Sequence, residues 1–217
     1  MKERPVMPAN ELKPALTHSE LCLIAERFLR NNGFSVAFHD RFVAAVSTGE
    51  QPDAIGFRNL ASCLIEAKCS RGDFLADRKK RFRIQPELGM GDWRFFICEP
   101  GLIRIDELPE GWGLLNVKGG RVFKVHGWPG NAMWCTNKNK PFRANKQAEC
   151  DYMYSALRRM QIRGHLSEVY DGLKKQTGDS ASEVEPETER CPGCGKRGES
   201  NQKDGGFYCY GSDRCCP

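Results

Sequence analysis

Five of the chain's eleven cysteines crowd into its last 27 residues, as Cys191 and Cys194, then Cys209, then the adjacent pair Cys215 and Cys216. A segment that short buries too little apolar surface to fold alone, so it has to be stapled. A C-x2-C knuckle followed after fourteen residues by further cysteines has the spacing of tetrahedral zinc ligation. Gly193 and Gly195 allow the tight turn, and the metal would supply roughly 10 kcal/mol or more, as in comparable peptides. Cys191, Cys194, Cys209 and Cys215 are the expected Zn2+ ligands. Cys216 competes with Cys215 for the fourth place, since strain opposes ligation by both neighbours, and loop geometry favours Cys215. Residues 191–217 therefore read as a zinc ribbon. Disulfides are the weaker reading: no secretory leader is seen, and Cys22, Cys63, Cys69, Cys98, Cys135 and Cys150 are scattered, mostly in apolar surroundings. The same features point to the cytoplasm of a bacterial or phage-infected cell, not to secretion.

Ahead of the ribbon, Asp179 to Glu189 holds five acids and no base. Residues 171–190, rich in Ser, Thr and Glu, read as an acidic flexible linker. Residues 1–16, with three prolines and little periodicity, read as a flexible arm. That leaves 17–170 as one domain, and 40% hydrophobic content suffices for a single core of about 150 residues. No window approaches the ~20 apolar residues a membrane span needs, so no membrane partner is expected. Net charge is only +5, but Lys68 to Arg83 carries seven basic residues against two acids. An anionic partner would meet that segment and be repelled by the linker.

Within 17–170, apolar residues recur at helical spacing from Thr17 to Asn32, with Gly33 placed to stop the helix. Strands are expected at Phe34 to Phe38 and Arg41 to Ser47, then at Asp53 to Phe57 and Ser62 to Cys69. A basic helix from Gly72 to Ile84 and a strand at Trp93 to Cys98 follow. Gly113 to Val117 and Arg121 to Val125 form a hairpin around Gly119 and Gly120. After an irregular stretch, a helix runs from Ala144 to Tyr170, with Gly164 as a potential break. The order defines an α/β fold.

The chemistry concentrates between Asp53 and Lys68. Side chains alternate along a strand, so Glu66 and Lys68 share one face at the end of the apolar run Cys63, Leu64, Ile65. Asp53 approaches them if the two strands pair. Two carboxylates suit Mg2+ or Mn2+, because hard cations prefer oxygen, and Lys68 would orient a water or neutralise charge developing on phosphorus. The Ala67 carbonyl is a further candidate ligand. A Glu-x-Lys pair alone is usually a surface charge pair; Pro52 and Asp53 before it and a basic helix after it give the pattern weight. Lys79, Lys80, Arg81 and Arg83 are the candidate phosphate contacts, with a solvated helix face as the plain alternative.

Residues 53–69 resemble the PD-(D/E)xK nuclease signature, and Leu64 to Lys79 looks like the MmcB-like DNA-repair branch of that superfamily, including phage-borne members. Asp92 to Cys98, Gly101 to Ile103 and Leu108 to Leu115 continue the likeness, which spans about Thr17 to Val125. It implies a restriction-endonuclease-like mixed sheet flanked by helices, DNA as substrate, and a role in repair, recombination or phage DNA metabolism. RNA remains an open alternative, as does a non-catalytic adaptor keeping the fold, and the ribbon offers a surface for a protein partner.

The resemblance also brings in Glu20, because many members of the superfamily add an acid from the first helix to the catalytic group. Thr17 and Glu20 equally fit a capping box. Ser70 and Asp73 read as a helix cap, Asp77 as a helix-surface charge, and the four histidines share no ligand spacing. Trp128 and Trp134 anchor a loop or stack on bases.

Overall fold

The computed structural model describes residues 16–170 and two short strands, 198–200 and 207–209. The chain divides between Val169 and Tyr170 into two units. The first is an α/β unit built on a six-stranded mixed sheet in sequential order: β1 (Val36–His39), β2 (Ala54–Arg58), β3 (Ala61–Lys68), β4 (Trp93–Cys98), β5 (Trp112–Lys118) and β6 (Arg121–His126). β1, β2 and β3 pair antiparallel, β3, β4 and β5 parallel, and β6 returns antiparallel on β5.

Helices cover both faces. α1 (His18–Asn31) lays Leu21, Cys22, Ala25 and Leu29 on one face, against Cys63, Ile65 and Ala67 of β3. The other face carries Leu64 and Phe96, covered by Phe74 of α2 (Arg71–Asp77) and by Ala148 and Tyr152 of the long helix α4 (Lys146–Ile162). The alternation along β3 explains the division, since odd and even residues of a strand serve opposite faces. β3 is buried over its whole length, so any polar group on it must find a partner inside the protein.

Three elements depart from the sequence reading. Arg41 to Ser47 is not a strand: Ala44 N–H donates to Gln51 Oε1 at 3.2 Å and Ser47 N–H to Asp151 Oδ2 at 3.1 Å. These backbone donors are taken by side chains, which leaves no ladder to join. The basic helix is broken: α2 ends at Asp77, Lys80 is extended (φ −65°, ψ 138°), and a single turn, α3 (Arg81–Ile84), follows. The break turns Lys80 and Arg83 inward. The last helix stops at Ile162 because Gly164 takes φ +78°, a conformation that ends helices. Gly33, at φ +87°, follows the last residues of α1 in the same way.

Trp134 is buried and Trp128 partly so, the two rings packing at 4.9 Å. Trp93 Nε1–H donates to the Trp134 carbonyl at 3.3 Å. Both loop tryptophans therefore anchor the loop to the core, and base stacking by Trp134 is excluded by its burial.

In the second unit, Gly198–Ser200 and Phe207–Cys209 pair antiparallel, with Gly198 opposite Cys209. The expected ligands Cys191, Cys194 and Cys215 lie outside the described residues, as do the arm to residue 15 and the linker. Of Cys209 only the backbone is described. Among the described residues, no helix is long and apolar enough to cross a membrane.

Candidate active site

The β2–β3 register pairs Ala54 with Ile65, which brings Asp53, just before β2, to the end of β3 that carries Glu66 and Lys68. Asp53 Oδ2 accepts the Ala67 N–H at 2.8 Å. Glu66 and Lys68 are buried, at 1% and 2% exposure, although both are charged types. Their burial is tolerated because a ring of opposite charges surrounds them.

Lys68 Nζ lies 3.4 Å from Glu66 Oε2 and 3.2 Å from Asp77 Oδ1, with Asp73 Oδ1 further off at 3.8 Å. Lys80 Nζ reaches the same two acids, at 3.4 Å from Glu66 and 2.8 Å from Asp77. Arg83 joins three carboxylates at once: Nε to Asp77 Oδ2 at 2.8 Å, Nη1 to Glu50 Oε1 at 2.8 Å, and Nη2 to Glu66 Oε1 at 3.0 Å. Its guanidinium also lies 4.7 Å from the Trp112 ring centre. Glu50 completes its bonding by accepting the Met90 N–H at 2.5 Å.

Three cations thus match Glu50, Glu66 and Asp77, and Asp53 is a fourth carboxylate beside them. Burial, with the nearby Glu66 charge, pushes the Asp53 carboxyl up to about 6. Burial acts the same way on Asp77, but Arg83 and Lys68 outweigh it and hold that carboxyl down to about 2. Glu66 Oε1 and Arg83 Nη2 are close, yet neither finds an aligned hydrogen bond. Glu66 Oε1 is thus ion-paired with Arg83 but buried without an aligned hydrogen bond. A groove of about 560 Å³ opens beside the cluster, lined in part by Asp77, Arg78, Arg83 and Trp112.

The predicted residues fall into three groups. Asp53, Glu66 and Lys68 come together as the spacing required. Glu20 does not join them: its Oε2 accepts the Thr17 N–H at 2.8 Å and the Thr17 hydroxyl at 2.7 Å, so it caps α1. The α1 residue that meets Asp53 is His18, with Nε2 3.2 Å from Asp53 Oδ1. Among the basic residues, Lys79 and Arg81 are exposed and enter no salt bridge among the described residues. Lys80 is exposed along its side chain, with its ammonium resting on the acids. Arg83, with a side chain only 4% exposed, is corrected from phosphate contact to internal counter-ion, because the broken helix points it into the acid cluster.

Sequence reasoning missed Glu50 and misplaced Asp77, which is buried and not a surface charge. The spacing of Asp77, Lys80 and Arg83 was a legible hint that a short helical turn gathers them. Glu50 gave no signal, since a lone acid in a Gly-containing turn reads as solvent-exposed. A second polar group, buried Ser62, Asp92 and Glu149 with the exposed Lys146 over them, ties β3 to α4 by hydrogen bonds of 2.6–3.3 Å and has a structural role.

The sequence matches no protein-family model and no curated protein. Among solved structures it is similar to the SPO1766 protein of unknown function from Silicibacter pomeroyi, at 23% identity and a TM-score of 0.46, over 75% of this chain and 97% of that one.

Proposed function

We propose that the chain is a metal-dependent nuclease that hydrolyses phosphodiester bonds in DNA. The observation that carries this reading is the convergence of Asp53, Glu66 and Lys68 at one end of β3, with a buried Glu66 oxygen left without a hydrogen bond. The donor set fits a hard divalent cation, because it is all oxygen and carries a surplus carboxylate. Asp53 and Glu66 would hold Mg2+ or Mn2+. Such a cation supplies positive charge against a scissile phosphate and makes nearby water more acidic.

The chain's own residues do the rest. Lys68, fixed between Glu66 and Asp77, presents an ammonium that hydrogen-bonds an attacking water and offsets charge growing on the phosphate. Arg83 holds Glu66 and Asp77 in place. Lys80, with a side chain 43% exposed, can swing out towards solvent and release Glu66. Lys79 and Arg81, beside it on the surface, contact backbone phosphates. The cysteine-rich tail, read as a zinc ribbon, adds DNA affinity or a protein contact.

One observation favours a second reading, a DNA-binding adaptor without catalysis: Lys80 and Arg83 already neutralise Glu66, as retained charges would in a site that holds no metal. Incubating the purified full-length protein with single-stranded, duplex and branched DNA, with Mg2+, Mn2+ or EDTA, separates the two. Cleavage that needs the metal and disappears in Glu66→Gln supports the nuclease. DNA binding without cleavage under any metal supports the adaptor.

A further inference from the structure

α1 carries His18 and Cys22 at helical i, i+4 spacing, on the face that meets the residue after β1, Asp40. His18 Nδ1 lies 3.5 Å from Cys22 Sγ and 3.9 Å from Asp40 Oδ2. One ligand atom from each of the three residues falls within 4.8 Å of the others. Zinc bonds of about 2.0–2.3 Å at tetrahedral angles hold ligand atoms roughly 3.3–3.7 Å apart, so these side chains stand close to ligand spacing before any metal arrives.

Neighbouring groups fix their orientation. Asp53 Oδ1 faces His18 Nε2 at 3.2 Å, and a proton on Nε2 leaves the Nδ1 lone pair aimed at Cys22 and Asp40. Asp40 Oδ1 is held by His39 Nδ1 at 2.9 Å, and His39 Nε2 lies 3.5 Å from Glu26 Oε2. Carboxylate–histidine pairs of this kind set the tautomer and angle of metal ligands. Cys22 is fully buried, whereas the His18 side chain is 45% exposed, which gives the site one solvent-facing side.

We propose that His18, Cys22 and Asp40 form a binding site for a divalent transition metal of the zinc type, with a fourth position open to solvent. The mixed nitrogen, sulfur and oxygen donors select against Mg2+ and set this site apart from the all-oxygen pair Asp53 and Glu66. Binding forms a metal–sulfur bond, and the Cys22 thiol proton leaves to solvent. The site needs neither Glu66 nor Lys68 and stands whether or not the chain cleaves DNA.

The test uses the full-length chain with Cys191, Cys194, Cys209, Cys215 and Cys216 all replaced by Ser, titrated with Co2+ and followed by the near-ultraviolet thiolate-to-metal absorption. About one Co2+ per chain with that absorption is expected, weakened at least tenfold by His18→Ala and stripped of the sulfur band by Cys22→Ser. Cys22 is buried and its replacement can cost folding, so His18→Ala decides, with a thermal melt verifying its fold. In the otherwise unaltered chain, zinc content by elemental analysis should fall by about one per chain in His18→Ala. A folded five-serine protein with no thiolate band, or His18→Ala binding as tightly as its parent, would show that Cys22 and His18 share only a local hydrogen bond.

Discussion

Asp53 Oδ2 accepts the backbone N–H of Ala67 at 2.8 Å, between the two residues, Glu66 and Lys68, with which it forms the candidate active site. The bond fastens the start of β2 to the end of β3, so the relative position of the two carboxylates is set by backbone pairing and not by flexible side chains alone. Charge-assisted bonds of this type are short and directional.

The first prediction concerns Glu66. Glu66→Gln keeps the shape but removes the charge, and DNA cleavage by the full-length protein should fall by at least about 100-fold, the usual loss for a group acting on transition-state charge. Lys68→Met should give a similar loss. Gel assays at saturating Mg2+ read both; near-normal rates in folded Glu66→Gln would remove this residue from the chemistry.

Arg83 is predicted to be a stability residue. Arg83→Met leaves the buried Glu50 without a counter-ion and removes one of three from Glu66 and Asp77, and breaking such a buried set should cost about 3–5 kcal/mol. Urea unfolding followed by tryptophan fluorescence measures this. A loss below about 1 kcal/mol, the scale of an exposed pair, would mean that the buried geometry is not maintained in solution.

Lys79 and Arg81 give the opposite pattern. Reversing both to Glu should leave the urea midpoint nearly unchanged, lower DNA affinity whatever the sequence, and reduce the salt slope by about 1 for each phosphate no longer neutralised. An unchanged slope would return the two residues to a solvated surface.

The Asp77 carboxyl, held down to about 2 by Arg83 and Lys68 against the effect of burial, links stability to acid. A depressed folded value stabilises the protein above the unfolded value, ~3.9, and that contribution is lost as pH falls from there through about 2. Asp77→Asn should therefore show a shallower fall in stability between about pH 4 and pH 2 than the parent, measured by melting temperature across that window. Parallel pH profiles for the two proteins would contradict the assignment.

The turn joining β2 to β3 offers a test of the backbone. Leu60 takes φ +64° and is 75% exposed, an unfavourable state for a branched side chain with little packing among the described residues to offset it. Leu60→Asn should raise stability by about 0.5–1 kcal/mol, since Asn adopts that conformation more readily without glycine's added chain entropy. A destabilised Leu60→Asn protein would show that the left-handed backbone at Leu60 is not what limits the stability of this turn.

The strands at β2 to β6 and the first helix were legible because each carries a local pattern. β3 is an apolar run that ends in a charged pair, α1 has a helical stripe with a Thr17 and Glu20 cap, and β5 and β6 flank Gly119 and Gly120. Period and turn chemistry act over a few residues and can be read from them. The pairing of Asp53 with Glu66 and Lys68 was legible for the same reason, as a motif whose members lie close in sequence.

What the sequence alone could not decide was which charges end up inside. Arg83 and Asp77 read as surface residues of a basic helix, and Glu50 as part of a turn. Only the break at Lys80 turns Arg83 towards β3, where Glu50, Glu66 and Asp77 converge from separate parts of the chain. His18 meets Cys22 within α1 itself, but it acquires Asp40 and Asp53 as neighbours only when α1 packs against the sheet. Local propensity fixes where elements form, but the environment of an ionisable side chain depends on residues distant in sequence, and that environment is what turns a charge into a ligand, a counter-ion or a solvated surface group.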